Sequence, residues 1–324
     1  IKIGNKTIFY QVTNGITNSE ILETKNKSGF IKGEAIQLGE WDNTELGFKK
    51  FGWVADMYSP VFKVSNIEKC SNEFGYPKYQ LGVIPKTNIP SVINLHDAIS
   101  HHIALIGVTG SGKSFLAREL IKELMQDTKI ICVDFTGEYV KHFQNFYPLN
   151  KNEIKNFIQS NESVGMFELS SISNTKDVLT QTQSFIEAVF EYAKNQQTSQ
   201  RICLVLEEAH TIVPETSFLG DLGEYGSSKA LVNKMGQVAL QGRKYGVGLM
   251  VIGQRTANIS KTILTQCNTM ICFQAFDDTN FNFLGNYIGK DLASTLPTLK
   301  KYHAVISGKA VKSNLPLIID ATRK

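Results

Sequence analysis

The sequence of 324 residues lacks the features that mark membrane and secreted proteins. No apolar run approaches the roughly 18 residues of a membrane-spanning helix, and residues 1–8 lack the basic-then-apolar layout of a signal peptide. The five cysteines form no CxxC pair and no spacing typical of a zinc site or a disulfide framework. We therefore expect a cytoplasmic protein whose cysteines are small buried apolar residues.

The chain also has little excess of charge of one sign and few prolines. The net charge is only +4, so bulk charge alone gives no argument for nucleic acid. With 8 prolines and 25 glycines, the composition is that of an ordinary folded protein rather than a disordered or fibrous one. The length allows two domains. The sequence begins at Ile1 rather than Met, which predicts a fragment or a trimmed form of a longer protein.

Three parts of the chain differ in texture. Short alternating runs at Thr7 to Val12, Glu34 to Leu38 and Gly52 to Val64 predict a small N-terminal β-barrel or sandwich over residues 1–66. The pattern loosens around three prolines in residues 67–95, where we place a linker. Apolar strands then alternate with helical patterns, which predicts an α/β domain of parallel βαβ units over residues 96–324.

The α/β domain is predicted in detail. Its strands are expected at Ile103 to Ile106, Ile130 to Asp134, Ser163 to Glu168, Ile202 to Leu206, Gly248 to Ile252, Thr269 to Gln274, His303 to Ser307 and Leu315 to Asp320. Its helices are expected at Lys113 to Gln126, Asn174 to Asn195 and Ser228 to Arg243.

A phosphate-binding loop follows the first of these strands. The segment GVTGSGKS matches GxxxxGK[ST] and lies between an apolar strand and a helix, which is the context that this motif requires. Glycines let the backbone wrap around phosphate oxygens, and the helix N-terminus favours an anion. Lys113 is expected to reach the β and γ phosphates, and Ser114 to ligate Mg²⁺. The predicted ATP site comprises Gly107, Val108, Thr109, Gly110, Ser111, Gly112, Lys113, Ser114 and Phe115.

Two acidic residues end the apolar run from Arg201 to Leu206. Glu207 is expected to hold the Mg²⁺ shell and Glu208 to polarise the attacking water, as in a Walker B segment. Alone, such a pair is most often a solvated strand end, but the upstream phosphate loop favours the catalytic interpretation. His210 is either a phosphate sensor or a capping or packing residue.

A third polar group follows the predicted strand that ends at Ile252. Gln254 is a candidate sensor of hydrolysis. In a ring, Arg243 or Arg255 could stabilise transition-state charge at a neighbouring subunit's nucleotide, with Arg243 slightly preferred. The alternative is that these arginines only solvate a loop.

These motifs together resemble the HerA branch of the HerA and FtsK ATPases. The matching segments are HIALIGVTGSGKS from His102, DFTGEY from Asp134, LEEAH from Leu206, and GRKYG from Gly242 followed by Gln254 and Arg255. The N-terminal β-rich stretch is similar to the small barrel that precedes this family's ATPase core. Residues 306–311 with Pro316 resemble the segment that closes the core.

The resemblance implies a RecA-like core in a homohexamer that uses ATP and Mg²⁺ to move duplex DNA through a central channel. It also implies a nuclease or sirtuin-like effector partner, with the barrel as its docking platform. The segment between Asn174 and Gln200 is short beside the archaeal repair enzymes, and the family's bracing extension is expected to be absent or truncated after Lys324. Both differences favour a compact member of the anti-phage defence type. Asp134 and Glu138 match an acidic motif that either shapes the nucleotide or inter-subunit pocket or caps a helix.

Three other functions were weighed. A GTPase is disfavoured because residues 150–153 lack the final Asp of NKxD and follow no apolar strand. A small-molecule kinase would need an arginine-rich lid, which the sequence lacks. An ATP-binding ring that assembles and activates a partner without translocation stays open. For DNA, Lys229, Lys234 and Lys261 are candidate channel residues, although exposed lysines are usually only solvated.

The assigned roles predict different effects for two substitutions. Glu208→Gln should block ATP hydrolysis while sparing nucleotide binding, because it removes the group that polarises the water. Lys113→Ala should lose both activities, because the lysine contacts the phosphates themselves. ATPase rates and ATP-binding titrations on the two variants check this, and hydrolysis by Glu208→Gln at the native rate would contradict the assignment.

Overall fold

The computed structural model describes residues 1–21, 27–64, 67, 74–172, 175–196, 200–215 and 225–322. The strands are β1 Lys2–Ile3, β2 Lys6–Ile21, β3 Lys27–Asp42, β4 Gly47–Lys49, β5 Lys78–Val83, β6 Pro90–Asn94, β7 Ile103–Ile106, β8 Thr128–Asp134, β9 Tyr147–Pro148, β10 Val164–Glu168, β11 Arg201–Leu206, β12 Val247–Gly253, β13 Thr269–Cys272, β14 His303–Gly308 and β15 Leu317–Asp320.

Helices connect most of these strands. They are α1 Leu95–Ser100, α2 Lys113–Leu124, α3 Glu138–His142, α4 Ile154–Gln159, α5 Thr175–Gln196, α6 Ala209–Ile212, α7 Tyr225–Gln241, α8 Lys261–Leu264, α9 Asp278–Ile288 and α10 Lys290–Ala293. Short 3₁₀ turns lie at Gly242–Tyr245, Thr256–Asn258 and Leu296–Thr298. Within the described ranges, no helix is both long enough and apolar enough to cross a membrane.

Eleven strands form one mixed sheet in the order β6-β5-β15-β14-β13-β7-β12-β11-β8-β10-β9. Every neighbouring pair from β13 to β9 is parallel, and the pairs from β6 to β13 are antiparallel. The phosphate-loop strand β7 lies between β12 and β13, so strands that come later in the chain are added to the sheet on both sides of β7. In such sheets, ligands bind at the carboxyl ends of the strands near this reversal.

Both faces of the central strands are buried. In β7, Ile103 and Leu105 pack into one apolar cluster, which also contains residues of α1 and α2. The alternating residues Ala104 and Ile106 pack into the opposite cluster, with residues of α5 and α7. This two-sided burial explains why these strands are near-continuous apolar runs in the sequence. All eight strands predicted for the α/β domain are confirmed, with end shifts of no more than two residues.

The three predicted helices are also found, as α2, α5 and α7. The predicted start of the second, Asn174, lies outside the described residues, as does Lys324. The third ends at Gln241, and Arg243 lies in the following 3₁₀ turn. Cys70 lies outside the described residues. The four described cysteines are free and buried, as expected: Cys132, Cys203, Cys267 and Cys272.

The N-terminal part forms a four-stranded antiparallel sheet in the order β1-β2-β3-β4. In the described residues β1 and β4 are its outer strands, so the pairing leaves the sheet open where a barrel was predicted. The sheet is fastened to the main sheet through Gln11. Its amide donates to the Ile318 carbonyl at 2.9 Å and accepts from the Ile318 N–H at 2.8 Å.

Two expectations about residues 52–95 need correction. The run from Gly52 to Val64 contains no strand, and Trp53 and Tyr58 are 74% and 95% exposed, so its apolar residues do not line a buried face. The predicted linker, residues 67–95, supplies β5 and β6 to the main sheet, where Leu81 and Ile93 are fully buried. An alternating apolar pattern forms a strand only where neighbouring elements pack against its apolar face. The division into domains stays a prediction.

Candidate nucleotide site

The strand ends that carry the predicted site residues are brought together by parallel pairing. Ile106 of β7 lies opposite Gly253 of β12, and Leu206 of β11 lies opposite Val251 of β12. Leu206 also lies opposite Val133 of β8. The residues at or directly after the carboxyl ends of these strands therefore meet at one edge of the sheet: Gly107, Asp134, Glu207, Glu208 and Gln254.

The phosphate loop connects β7 to α2. Gly110 and Gly112 have φ of +79° and +122°, a region that favours glycine. Lys113 begins α2, and its ammonium donates to the Val108 carbonyl at 3.0 Å. Ser111 Oγ donates to the same carbonyl at 2.7 Å. The lysine is thus held against the loop by a neutral acceptor, and a phosphate would offer it a charged and stronger one.

Burial dominates the electrostatics of Lys113. The side chain is buried, and this lowers its pKa, while the carboxylates of Glu208, Glu207 and Glu138 act in the opposite direction. The three acidic side chains therefore offset part of the effect of burial on the pKa of Lys113. The lysine is therefore the cation around which the acidic residues of this edge are arranged.

Glu208 is held in an unusual backbone conformation by partners on both sides. Its φ of +46° is rare for a residue with a side chain. The Gln254 amide donates to Oε1 at 2.8 Å, and His210 Nδ1 lies 3.3 Å from Oε2, a contact that is an ion pair when the histidine is protonated. His210 and then Gln254 lower the pKa of Glu208 against the effect of burial. The carboxylate is therefore ionised and oriented, as a group that polarises water must be.

Glu207 has the opposite electrostatic character. It is only 4% exposed, and burial raises its pKa to about 7, with smaller raising effects from Glu138 and Glu208. The Tyr139 hydroxyl donates to Oε2 at 3.0 Å and Lys113 acts from a distance, both lowering the pKa. Two adjacent glutamates thus have pKa values shifted in opposite directions by their surroundings.

A buried carboxylate with a raised pKa fits a metal-ligand role, because a cation would supply the charge that burial has left uncompensated. In the described ranges, no group of three or more His, Cys, Asp or Glu side chains could hold a metal by itself. Mg²⁺ commonly takes one or two carboxylates together with phosphate oxygens. Ser114 at the start of α2 and Glu207 fit that pattern.

Asp134 builds the loop beside the site. It is fully buried, and its carboxylate accepts from the backbone N–H groups of Gly137 at 2.9 Å, Tyr139 at 3.0 Å and Val140 at 3.1 Å. Of the two interpretations left open, capping therefore describes Asp134. Glu138 instead reaches α2, where Arg118 donates to it at 2.9 Å.

Tyr139 is a site residue that sequence reasoning missed. Its ring is 1% exposed, and burial with the neighbouring Glu207 raises its pKa, so its hydroxyl is a donor. Tyr139 belongs to the DFTGEY segment, and its hydroxyl reaches Glu207 directly after β11, the neighbour of β8 in the sheet.

The two arginines proposed as fingers lie at opposite edges of the sheet. Arg255 directly follows Gln254, whereas Arg243 precedes β12. A strand of seven residues at about 3.3 Å each separates them by roughly 20 Å. Arg243 therefore cannot reach the nucleotide site of its own chain. Among the candidate channel lysines, Lys234 lies 3.5 Å from Glu187 in an ion pair.

A loop of this type between β7 and α2, an acidic pair directly after β11 and a glutamine directly after the intervening β12 define the class of P-loop ATPases with a RecA-like strand order. The chain belongs to the HerA family within that class: the model of the HerA helicase central domain matches residues 79–244, just over half of the chain. It is thus a HerA-like ATPase of the HerA and FtsK superfamily.

Individual relatives agree with this placement. The chain is 32% identical over 121 residues to the DNA double-strand break repair helicase HerA of Pyrococcus furiosus, covering 36% of this chain and 20% of that protein. It is 30% identical over 133 residues to the protein of the same name from Saccharolobus solfataricus, covering 40% and 24%. The chain thus matches about a quarter or less of these relatives' length.

A solved structure supports the fold. The pCW3 conjugation coupling protein TcpA, in a monomer form with ATPγS, superimposes with a TM-score of 0.51 and 14% identity. The match covers 96% of this chain and 77% of that one. At this identity, the likeness concerns the fold alone.

The raised pKa of Glu207 predicts a pH-dependent stability. Because the folded state holds this proton more tightly, the stabilisation is complete below about pH 4.5 and is lost as the pH rises through about 7. At about 1.4 kcal/mol per pKa unit, the loss is of the order of 3 kcal/mol. Glu207→Gln should remove this slope from the free energy of unfolding measured by urea denaturation in Mg²⁺-free buffer.

The exposed Glu191, which makes a surface ion pair with Lys194, gives the matched control. Glu191→Gln should leave the pH profile unchanged, since exposed pairs contribute little. A Glu207→Gln profile parallel to that of the wild type would show that Glu207 titrates normally.

Proposed function

We propose that this chain is the ATP-hydrolysing subunit of a ring-shaped motor that moves along duplex DNA. The observation that supports hydrolysis best is the group formed by Gln254, Glu208 and His210 at the strand edge that also carries Lys113. A carboxylate kept ionised and fixed by a neighbouring amide suits an attack by water, which nucleotide binding alone would not need.

Each residue has a separate part in this proposal. The backbone of residues 107–112 cradles the phosphates, and Lys113 exchanges its bond to the Val108 carbonyl for the β and γ phosphates. Glu208 orients the water and accepts its proton. Gln254 fixes Glu208 Oε1 and connects the reaction to β12.

Mg²⁺ would be held by Ser114 and Glu207, and when bound it neutralises charge on the β and γ phosphates. The Tyr139 hydroxyl donates to Glu207 Oε2 at 3.0 Å and would hold this carboxylate in place for a metal. Ionised Glu208 and metal-bound Glu207 would then share one edge without competing for the same proton.

Ring assembly is supported by the location of Arg243. An arginine that is exposed at the edge opposite its own nucleotide site can stabilise transition-state charge only in a neighbour. Arg255, beside Gln254, would then act near its own site. The homohexamer follows the family resemblance, as does the central channel for DNA.

DNA as the substrate is supported by the relatives, which are named as DNA double-strand break repair helicases. A nuclease or sirtuin-like effector, an anti-phage role and a cytoplasmic location belong to the same proposal. The N-terminal sheet is the proposed platform for the effector.

A second candidate is a ring that binds ATP in order to assemble and activate a partner. The segment of residues 51–64 favours it, since Trp53, Met57 and Tyr58 are 74%, 83% and 95% exposed. Large exposed apolar groups close together are typical of contact surfaces.

The ATPase rate with and without linear duplex DNA distinguishes these functions. For a motor, DNA should stimulate hydrolysis several-fold, because phosphate contacts in the channel would be coupled to each turnover. The mass of the same material by light scattering should correspond to a hexamer. A hexamer whose rate is indifferent to DNA would support the assembly function, and a monomer without ATPase activity would contradict both.

The location of Arg243 predicts complementation between two inactive variants. Arg243→Ala should lower hydrolysis by about 1,000-fold or more, in the range of other arginine fingers, and keep nucleotide binding. Lys113→Ala subunits bind no nucleotide but carry Arg243. Mixing the two should restore activity at the interfaces where an intact Lys113 site meets an intact Arg243. Mixtures that stay inactive, despite forming mixed rings, would show that Arg243 does not act in trans.

A further inference from the structure

Tyr302 is fastened to the phosphate loop by its backbone. It follows the 3₁₀ turn Leu296–Thr298 and precedes β14. Its N–H donates to the Ser111 carbonyl at 2.8 Å, and its own carbonyl accepts from the Ala321 N–H at 3.0 Å. Its φ is +66°, a conformation that a tyrosine adopts at a cost and that is often kept at functional sites.

The ring of Tyr302 lies directly against the loop. A Cβ added to Gly112 would come within 2.8 Å of Tyr302 Cδ1, so only glycine leaves room for the ring there. Phe115, in the first turn of α2, meets the ring edge-on with centroids 5.3 Å apart at 65°. Both aromatic residues are half-buried, which leaves part of their surface open beside the phosphate loop.

The direction of a bound nucleotide follows from the sheet. Glu207 and Glu208 directly follow β11, and β12 lies between β11 and β7 in the sheet. The γ phosphate must lie on that side, because the attacking water lies between it and Glu208. The other end of the nucleotide then points away from β11, towards β13 and β14, and Tyr302 immediately precedes β14.

One face of the Tyr302 ring is within reach of groups from solvent. The ammonium of the exposed Lys301 lies over it, 5.0 Å from the centroid. A flat, polarisable base could make an equivalent contact, since stacking on an aromatic ring needs only the π surface of the base.

We propose that Tyr302, supported by Phe115, is the platform on which the nucleotide base stacks. The inference rests on the proposed ATP site and extends it to base selection. Because the aromatic surface contacts the face of the base and not its hydrogen-bonding edge, this platform accepts any nucleobase, with larger purines favoured over pyrimidines.

The test separates base binding from phosphate binding. Affinities for tripolyphosphate and for a non-hydrolysable ATP analogue, both with Mg²⁺, are measured by calorimetry on three variants. Tyr302→Asn removes the ring and suits a positive φ; it should lose about tenfold in affinity for the analogue, a typical value for a stacked base, and keep its affinity for tripolyphosphate. Tyr302→Phe keeps the ring and should bind both ligands as the wild type does. Tyr58→Asn removes a 95% exposed tyrosine elsewhere and is the matched control.

Each other outcome has one meaning. Undiminished binding of the analogue by Tyr302→Asn overturns the platform, and so does an equal loss of both ligands, which would make Tyr302 a support for the loop. A wild-type protein that binds neither ligand overturns the proposed ATP site itself. In competition, GTP should bind within about tenfold of ATP; a preference above about 100-fold would show that the edge of the base is recognised and would exclude stacking alone.

Discussion

The parallel register of β7, β12, β11 and β8 is the constraint on which the site depends. A parallel sheet aligns the carboxyl ends of its strands. The phosphate loop, the Glu207–Glu208 pair and Gln254 therefore meet although they are far apart in the sequence. Both faces of these strands are covered by apolar clusters, and this burial stabilises the register. A shift of one residue in β11 would move Glu208 away from Gln254 and reverse the faces of the strand.

The charges at this edge are destabilising for the folded chain taken alone. Lys113 and Glu207 are both buried, and the pKa of each is shifted towards its neutral form. Such shifts are common where a site is built to receive ions. The edge holds more acid than base, which suits a nucleotide that arrives with its metal better than a bare polyphosphate anion.

The sequence was sufficient where function follows from local order and insufficient where it depends on distant partners. The strand-loop-helix around Lys113 and the acidic end of β11 were predictable, because each motif includes its own structural context. The sequence indicated Gln254 as a candidate sensor but not its contact with Glu208. The roles of Tyr139 and Tyr302 depend on Glu207 and Ser111, which lie 68 and 191 positions away in the chain. The residues from Gly52 to Val64 alternate like a strand, but none of the strands in the described part of the chain pairs with them.

The Gln11 contact has a consequence for how the chain reaches this fold during synthesis. Its partner, Ile318, comes 307 positions later, and β5 pairs with β15 through Val83 and Asp320. The first 94 residues therefore leave the ribosome long before β15, the strand that anchors them. Until then, the N-terminal sheet and the hairpin of β5 and β6 have unpaired edges, which are prone to pair with other chains. Contacts this distant in sequence also slow folding. The strand edges of the N-terminal part therefore stay unpaired for longer.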